Sequence, residues 1–167
     1  LRLNETSWSN CIASLAAAKI LVTAAHCLLT ESATFAYIGS HYFDGTNDGE
    51  LITIVKHNQH PKYNTASRWD YDIAVYELET ASSFPPIKVN WDEDSSPPQA
   101  SSRGSAALDV CEGNSGGPLT VTRNGIEYLA GVTSSGFTCG VNGFPGVCAR
   151  ISEERDFIEP FLPKTAC

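Results

Sequence analysis

The 167-residue chain lacks several features that would point to other classes of protein. No apolar run approaches the ~20 residues that span a bilayer, so we expect no membrane-spanning segment. Lys and Arg number 11 against 19 Asp and Glu, a net charge of −8, which argues against a nucleic-acid partner because such a partner selects a basic surface. No Cys-x-x-Cys or His-x-x-x-His spacing occurs, so we expect neither a metal site nor a cofactor.

What is present suits a secreted, extracellular globular protein: 42% apolar residues and six cysteines. The sequence begins at Leu1, so we expect a processed or partial chain, and the lack of a visible signal peptide is uninformative about export. The triplet Asn4-Glu5-Thr6 is a sequon that a secretory pathway would allow to carry a glycan. The acidic charge favours solubility and the attraction of cationic substrates.

The segment DVCEGNSGGPL at 109–119 places a serine between glycines, a few residues after a cysteine and an acid. Gly113 and Gly116 let the backbone turn tightly around Ser115, and N–H groups there can point at an oxygen that becomes negative when a carbonyl is attacked. Taken alone, the pattern is also typical of an ordinary Gly/Ser turn.

Two upstream segments favour the interpretation of Ser115 as a nucleophile over that of an ordinary turn. KILVTAAHC at 19–27 runs from an apolar strand into His26, and WDYDIAVYEL at 69–78 carries Asp72 at the head of a second apolar run. A serine hydroxyl needs an imidazole to take its proton, and that imidazole needs a carboxylate to orient it. Alone, His26 would be interpreted as a core histidine. Asp70 lies two residues from Asp72, on the same face of an extended segment, and is the alternative acid.

With the motifs TAAHC, DIA and GNSGGPL in this order, the chain resembles the trypsin/chymotrypsin serine proteases. The resemblance implies a serine endopeptidase in which His26 is general base and then acid, Asp72 orients it and Ser115 is the nucleophile. The N–H groups of Gly113 and Ser115 would form the oxyanion hole. The family's aspartate immediately precedes the Ile-Ala pair, which selects Asp72 and leaves Asp70 as a solvated loop acid.

The same resemblance implies a specificity pocket. Asp109, six residues before Ser115, would lie at its base and select Arg or Lys before the scissile bond. The walls would come from Ser134-Ser135-Gly136 and Pro145-Gly146-Val147, so we assign Ser134, Gly136 and Gly146 to substrate binding. The alternative for Asp109 is a surface acid in an acidic protein.

Family resemblance also pairs four of the six cysteines, Cys11 with Cys27 and Cys111 with Cys139, and both bridges would brace the site. That leaves Cys148 and Cys167, which either pair with each other or remain free or intermolecular thiols.

Seven segments rich in apolar or alternating residues predict an all-β protein; they are 19–22, 34–38, 51–56, 73–78, 119–122, 128–133 and 147–151. Ser152 is predicted to cap a short C-terminal helix, with acidic residues in its first turn, an apolar face of Phe157, Ile158 and Phe161, and Pro160 distorting or ending it. The expected fold is a trypsin-like double β-barrel.

The second barrel is predicted to be abridged. Residues 1–89 would form the first barrel, 90–108 a polar, proline-bearing linker in place of missing strands, and 109–167 a partial second barrel within one domain. The separation of Asp72 from Ser115 is roughly half of what two complete barrels require. A barrel that lacks strands exposes edges that invite pairing with another chain.

Two further departures bear on function. Typical family members are activated when a new N-terminus, beginning Ile-Val-Gly-Gly, pairs its ammonium group with the aspartate directly before the nucleophile. In this chain Asn114 occupies the position of that aspartate, and the Ile-Val-Gly-Gly start is absent. The stretch 39–50 also resembles the oomycete glucanase inhibitor proteins, family members that bind a plant enzyme without proteolysis. In the same stretch, Asn47, Asp48 and Glu50 offer oxygens for calcium, although a plain hairpin turn explains the pattern better.

Two functions follow from these patterns. The first is a secreted endopeptidase acting on peptide or protein substrates after Arg or Lys, with activity reduced by the abridged barrel. The alternative is a non-catalytic homologue that binds and inhibits a host glucanase. The corresponding partners are a substrate, a host glycanase or a protease inhibitor.

Overall fold

Two β-sheets make up the computed structural model, which describes residues 1–5, 7, 9, 11–30, 33–40, 48–65, 70–92, 101–102, 115–135 and 147–164. The strands, in chain order, are β1 (Ser14–Ala17), β2 (Ile20–Thr23), β3 (Phe35–Ile38), β4 (Glu50–Gln59), β5 (Ala74–Leu78), β6 (Lys88–Val89), β7 (Ser101–Ser102), β8 (Pro118–Arg123), β9 (Ile126–Ser135) and β10 (Val147–Arg150). The predicted all-β class is confirmed, and each of the seven predicted segments contains or overlaps a strand.

The first sheet has the order β1-β2-β5-β4-β3, with antiparallel neighbours throughout. Its strands β2 and β5 are rich in apolar residues, and Val22, Val75 and Tyr76 are completely buried. A one-turn helix, α1 (Cys27–Thr30), follows β2. The strand β1 was not among the predicted segments, because the small residues of Ser14–Ala17 give little periodic signal.

The second sheet has the order β10-β9-β8-β7, and β6 pairs in parallel with β9. Two predictions are corrected here. Lys88–Val89 was assigned to the first barrel but pairs with Tyr128 and Leu129 of the second sheet. The predicted linker 90–108 contains β7, which pairs with β8. Both short strands cover edges that an abridged barrel would otherwise leave unpaired.

The chain ends in a four-residue helix, α2 (Arg155–Ile158), followed by a 3₁₀ turn (Glu159–Phe161) that contains Pro160. The short helix is confirmed, but the predicted Ser152 cap is wrong. The N-cap is Glu154, which makes no side-chain capping bond because its carboxylate points instead to His60. Ile158 is fully buried, while Phe157 and Phe161 are partly buried against the core.

One continuous apolar cluster joins the two sheets. It includes Val22 and Val75 from the first sheet, Leu129 and Val132 from β9, and Ile158 from α2. The strands β2, β5 and β9 therefore meet over a shared core, and the residues at their ends lie at the junction. Within the described part of the chain, no helix is both long and apolar enough to cross a membrane.

Candidate functional site

His26 and Asp72 meet because of the pairing of β2 with β5. Thr23 lies opposite Ala74 in this antiparallel pair, so the chain leaving β2 and the chain entering β5 are neighbours. His26 Nδ1 lies 2.7 Å from Asp72 Oδ2, and the backbone N–H of His26 donates to Asp72 Oδ1 at 2.8 Å. An ionised carboxylate can only accept, so Nδ1 carries the shared proton. The structure thus brings Asp72 to the imidazole.

Ser134 contributes a third donor to this carboxylate. Its hydroxyl lies on β9 of the second sheet and donates to Asp72 Oδ2 at 2.5 Å. Asp72 is only 1% exposed, and three donors replace the water that the buried carboxylate gives up. Sequence reasoning placed Ser134 in the wall of a substrate pocket and missed this bond. Nothing local to β9 signals it, because the contact spans 62 positions between two sheets.

Ser115 is anchored at the same junction through its backbone. Its carbonyl accepts from the N–H of Ile12 at 2.8 Å, and the N–H of Gly116 donates to Thr133 at 2.9 Å. Gly116 has φ +78°, and a Cβ there would come within 2.2 Å of Thr23 Oγ1, three residues before His26. The glycine therefore permits the serine-bearing turn to lie directly against the end of β2.

The predicted bridge between Cys11 and Cys27 is present and closes the loop that carries His26. Cys11, His26 and Cys27 are the one group of potential metal ligands found among the described residues, and their ligand atoms lie within 4.8 Å of one another. A disulfide offers no thiolate, so this group does not fit a metal ion.

Cys148 is a free thiol, and burial raises its pKa, which lowers its nucleophilicity at neutral pH.

The two described acids of the candidate calcium loop have protein partners. Ser40 Oγ donates to Asp48, and the Glu50 carboxylate accepts from the hydroxyls of Ser82 and Ser83. These hydrogen bonds, that of Ser82 first, lower the pKa of Glu50. The carboxylate of Glu50 thus stabilises the loop after β5 by hydrogen bonding.

Several predicted residues lie outside the described part of the chain, so the structure does not bear on their assignments; they are Asp109, Gly113, Gly136, Gly146, Cys111, Cys139, Cys167, Asn47 and Asn114.

The chain belongs to the trypsin family: the family model for trypsin matches it in two segments, 2–107 and 99–158. Together with the two sheets, this defines a trypsin-like double β-barrel whose second barrel is abridged.

Relatives include glucanase inhibitor protein 2 of Phytophthora sojae, 25% identical over 198 aligned residues that cover 85% of this chain and 68% of the relative. Glucanase inhibitor protein 1 of Phytophthora infestans is 27% identical, covering 89% of this chain and 76% of the relative. Trypsin 5G1 of Aedes aegypti is 28% identical, covering 89% of this chain and 74% of the relative. The predicted kinship with the glucanase inhibitor branch is confirmed. Alignments longer than the 167-residue chain also mean that these relatives carry segments that it lacks.

Proposed function

We propose that this protein is an extracellular binding protein that inhibits a host glucanase, built on a trypsin-like fold. The observation that carries the proposal is the similarity to proteins named glucanase inhibitors, from two Phytophthora species, over 85% and 89% of the chain. A protein interface of this kind needs a folded surface and does not require bond cleavage.

Two features of the sequence support a function in binding. Asn114 stands before Ser115 where the protease switch uses an aspartate, and a neutral amide cannot form the ion pair of that switch. The net charge of −8 favours fast association with a cationic protein surface.

The proposal is tested by titrating the purified chain into a panel of β-1,3- and β-1,4-glucanases and measuring residual glucanase activity. We expect immediate, stoichiometric inhibition of at least one enzyme, with the glucanase intact on a gel. The variants Ser115→Ala and His26→Ala should inhibit equally well. Inhibition that develops slowly, that yields glucanase fragments and that Ser115→Ala abolishes would instead assign proteolysis. No inhibition or binding across the panel would contradict the proposal.

A second candidate is a serine endopeptidase, and the hydrogen bonding around Asp72 favours it. A buried carboxylate with three donors orients His26 as a general base requires, so that Nε2 is the atom for proton transfer. Ser115 would then attack the scissile carbonyl, the N–H groups of Gly113 and Ser115 would hold the oxyanion, and Asp109 would select Arg or Lys.

A fluorophosphonate probe tests this candidate. An activated Ser115 should be labelled, and His26→Ala should abolish labelling because the proton acceptor is gone. Cleavage of peptides should prefer Arg or Lys, and Asp109→Ser should remove that preference. An unlabelled wild-type chain, under conditions where trypsin reacts fully, would eliminate the endopeptidase candidate.

A further inference from the structure

His60 contacts the residues on both sides of Asp72. Its backbone N–H donates to the carbonyl of Ile73 at 3.0 Å, and its ring stacks on Tyr71 with centroids 4.8 Å apart and planes 7° apart. Asp72 is therefore held between two neighbours that both depend on the placement of His60.

Tyr71 needs such support because of its backbone. Its φ is +51°, in the left-handed region that non-glycine residues adopt at a cost in energy, and its carbonyl closes a tight turn to the N–H of Ile73 at 2.7 Å. Lys62 Nζ also lies over the ring, 5.4 Å from its centroid. If Tyr71 relaxes to negative φ, the direction in which the chain enters Asp72 changes.

The other side of His60 is held by the C-terminal segment. Nε2 lies 3.3 Å from Glu154 Oε2, and the ring makes an edge contact with Phe157 at 4.7 Å. The backbone N–H of Lys62 donates to Nδ1 at 3.1 Å, so Nδ1 is an acceptor and Nε2 carries the ring proton, which faces the Glu154 carboxylate. Both side chains are about nine-tenths buried, at 9% and 10% exposure.

We propose that His60 is a positioning residue that, through Glu154 and Tyr71, couples the docking of the C-terminal segment to the orientation of Asp72 against His26. The coupling is independent of the proposed glucanase binding. When the contact between His60 and Glu154 is lost, the His60 ring is no longer held in place, Tyr71 loses its stacking partner, and the Asp72 carboxylate turns away from His26 Nδ1.

The readout is the protonation state of the two His26 ring nitrogens. It is measured by nitrogen NMR of the whole chain, with labelled histidine, at neutral pH. It requires neither glucanase binding nor peptide cleavage, so it succeeds or fails separately from the proposed function. In the wild type we expect the Nδ1 resonance in the protonated range. His60→Phe keeps an aromatic ring on Tyr71 but removes the N–H group that faces Glu154, and should shift the His26 Nδ1 resonance toward the non-protonated range.

Two substitutions of Glu154 test the contact between its carboxylate and the His60 ring. Glu154→Leu should cause the same shift as His60→Phe, whereas Glu154→Gln keeps an acceptor oxygen and should retain the wild-type spectrum. Glu153→Gln, at the exposed neighbour that pairs with Arg150, is the surface control. Ile158→Val, at a buried position of the same helix, controls for a loss of stability alone and should leave Nδ1 protonated.

A wild-type Nδ1 resonance in both His60→Phe and Glu154→Leu, with a lowered melting temperature, would overturn the proposal because the pair would then be structural only. A Glu154→Gln spectrum equal to that of Glu154→Leu would overturn it as well. If Glu154→Leu fails to fold, His60→Phe decides, since it retains an aromatic ring at that position.

Discussion

Ser134 donates a hydrogen bond to Asp72 across the junction of the two sheets, at 2.5 Å between Oγ and Oδ2. The serine lies on β9 of the second sheet, and the aspartate lies two residues before the start of β5 in the first. One hydroxyl therefore connects the two halves of the molecule at the carboxylate that orients His26. The bond makes the geometry of the candidate site dependent on the packing of both sheets.

Replacing Ser134 with Ala should destabilise the fold by about 1.5–3 kcal/mol, because a buried carboxylate loses one of its three donors. Urea unfolding measures the loss. Thr122→Ala, at an exposed position of β8, is the control and should change the free energy of unfolding by less than ~0.5 kcal/mol. Equal stability of the two variants would contradict the importance of the bond.

Gly116→Ala should be far more damaging than Gly125→Ala, although both glycines have positive φ, +78° and +74°. A Cβ at Gly116 would clash with Thr23 and Ile12, whereas nothing lies within 4 Å of one at Gly125. We expect a loss of about 1–2 kcal/mol at Gly125 from backbone strain alone, and about 3–5 kcal/mol at Gly116. Thermal and denaturant unfolding compare the two variants, and similar losses would refute the close packing at Gly116.

Stability should depend on pH through His60. Burial, and then the charge of Lys62, lower the pKa of this histidine below 6.5 in the folded state. As the pH falls, the unfolded chain therefore binds the proton before the folded state does. The stabilisation is present above pH 6.5 and is lost as the pH falls through that value toward the lower folded-state pKa. We expect the free energy of unfolding to decrease over this range, and His60→Gln to abolish the decrease.

Titration of Glu154 changes the free energy of unfolding in the opposite direction, so its contribution must be the same in the two proteins that are compared. Burial, and then Glu153, raise its pKa, so the folded state takes up this proton before the unfolded chain does as the pH falls. Urea titrations at pH 7.5, 6.5 and 5.5 should therefore compare Glu154→Gln with the double variant that adds His60→Gln. The same pH dependence in both would show that His60 is not the responsible group.

Hydrogen exchange should find β9 as well protected as the core of the first sheet. Leu129 pairs with Thr120 on one edge and with Val89 on the other, and Val132 pairs with Pro118 and Ala149. Local opening is costly for a strand that is bonded on both sides and buried. We expect amides in 129–132 to exchange as slowly as those in 21–22 and 74–75. Much faster exchange of β9 would mean that the short strands β6 and β7 do not close the second sheet.

Much of the fold was predictable because most of its strands contain a local run of apolar residues that identifies them. Apolar runs such as ILVT in β2 and AVYEL in β5 are buried on both faces, and the chain shows this without tertiary information. The strands that were missed or misassigned, β1, β6 and β7, are short or poor in β-branched residues. They exist because a neighbouring edge needs a partner, which is a property of the sheet and not of their own sequence.

Sequence alone determined the residue types and their order: His26 after an apolar strand, Asp72 before another, and Ser115 within a glycine-rich turn. The family motif selected Asp72 over Asp70. Only the tertiary structure brought Asp72 against the imidazole, gave its carboxylate a hydrogen bond from Ser134, and placed His60 between Glu154 and the turn at Tyr71. These contacts join positions 46, 62 and 94 residues apart. Side chains this far apart in the sequence come together only after strand pairing and core packing have placed the backbone, so no local pattern encodes the contacts.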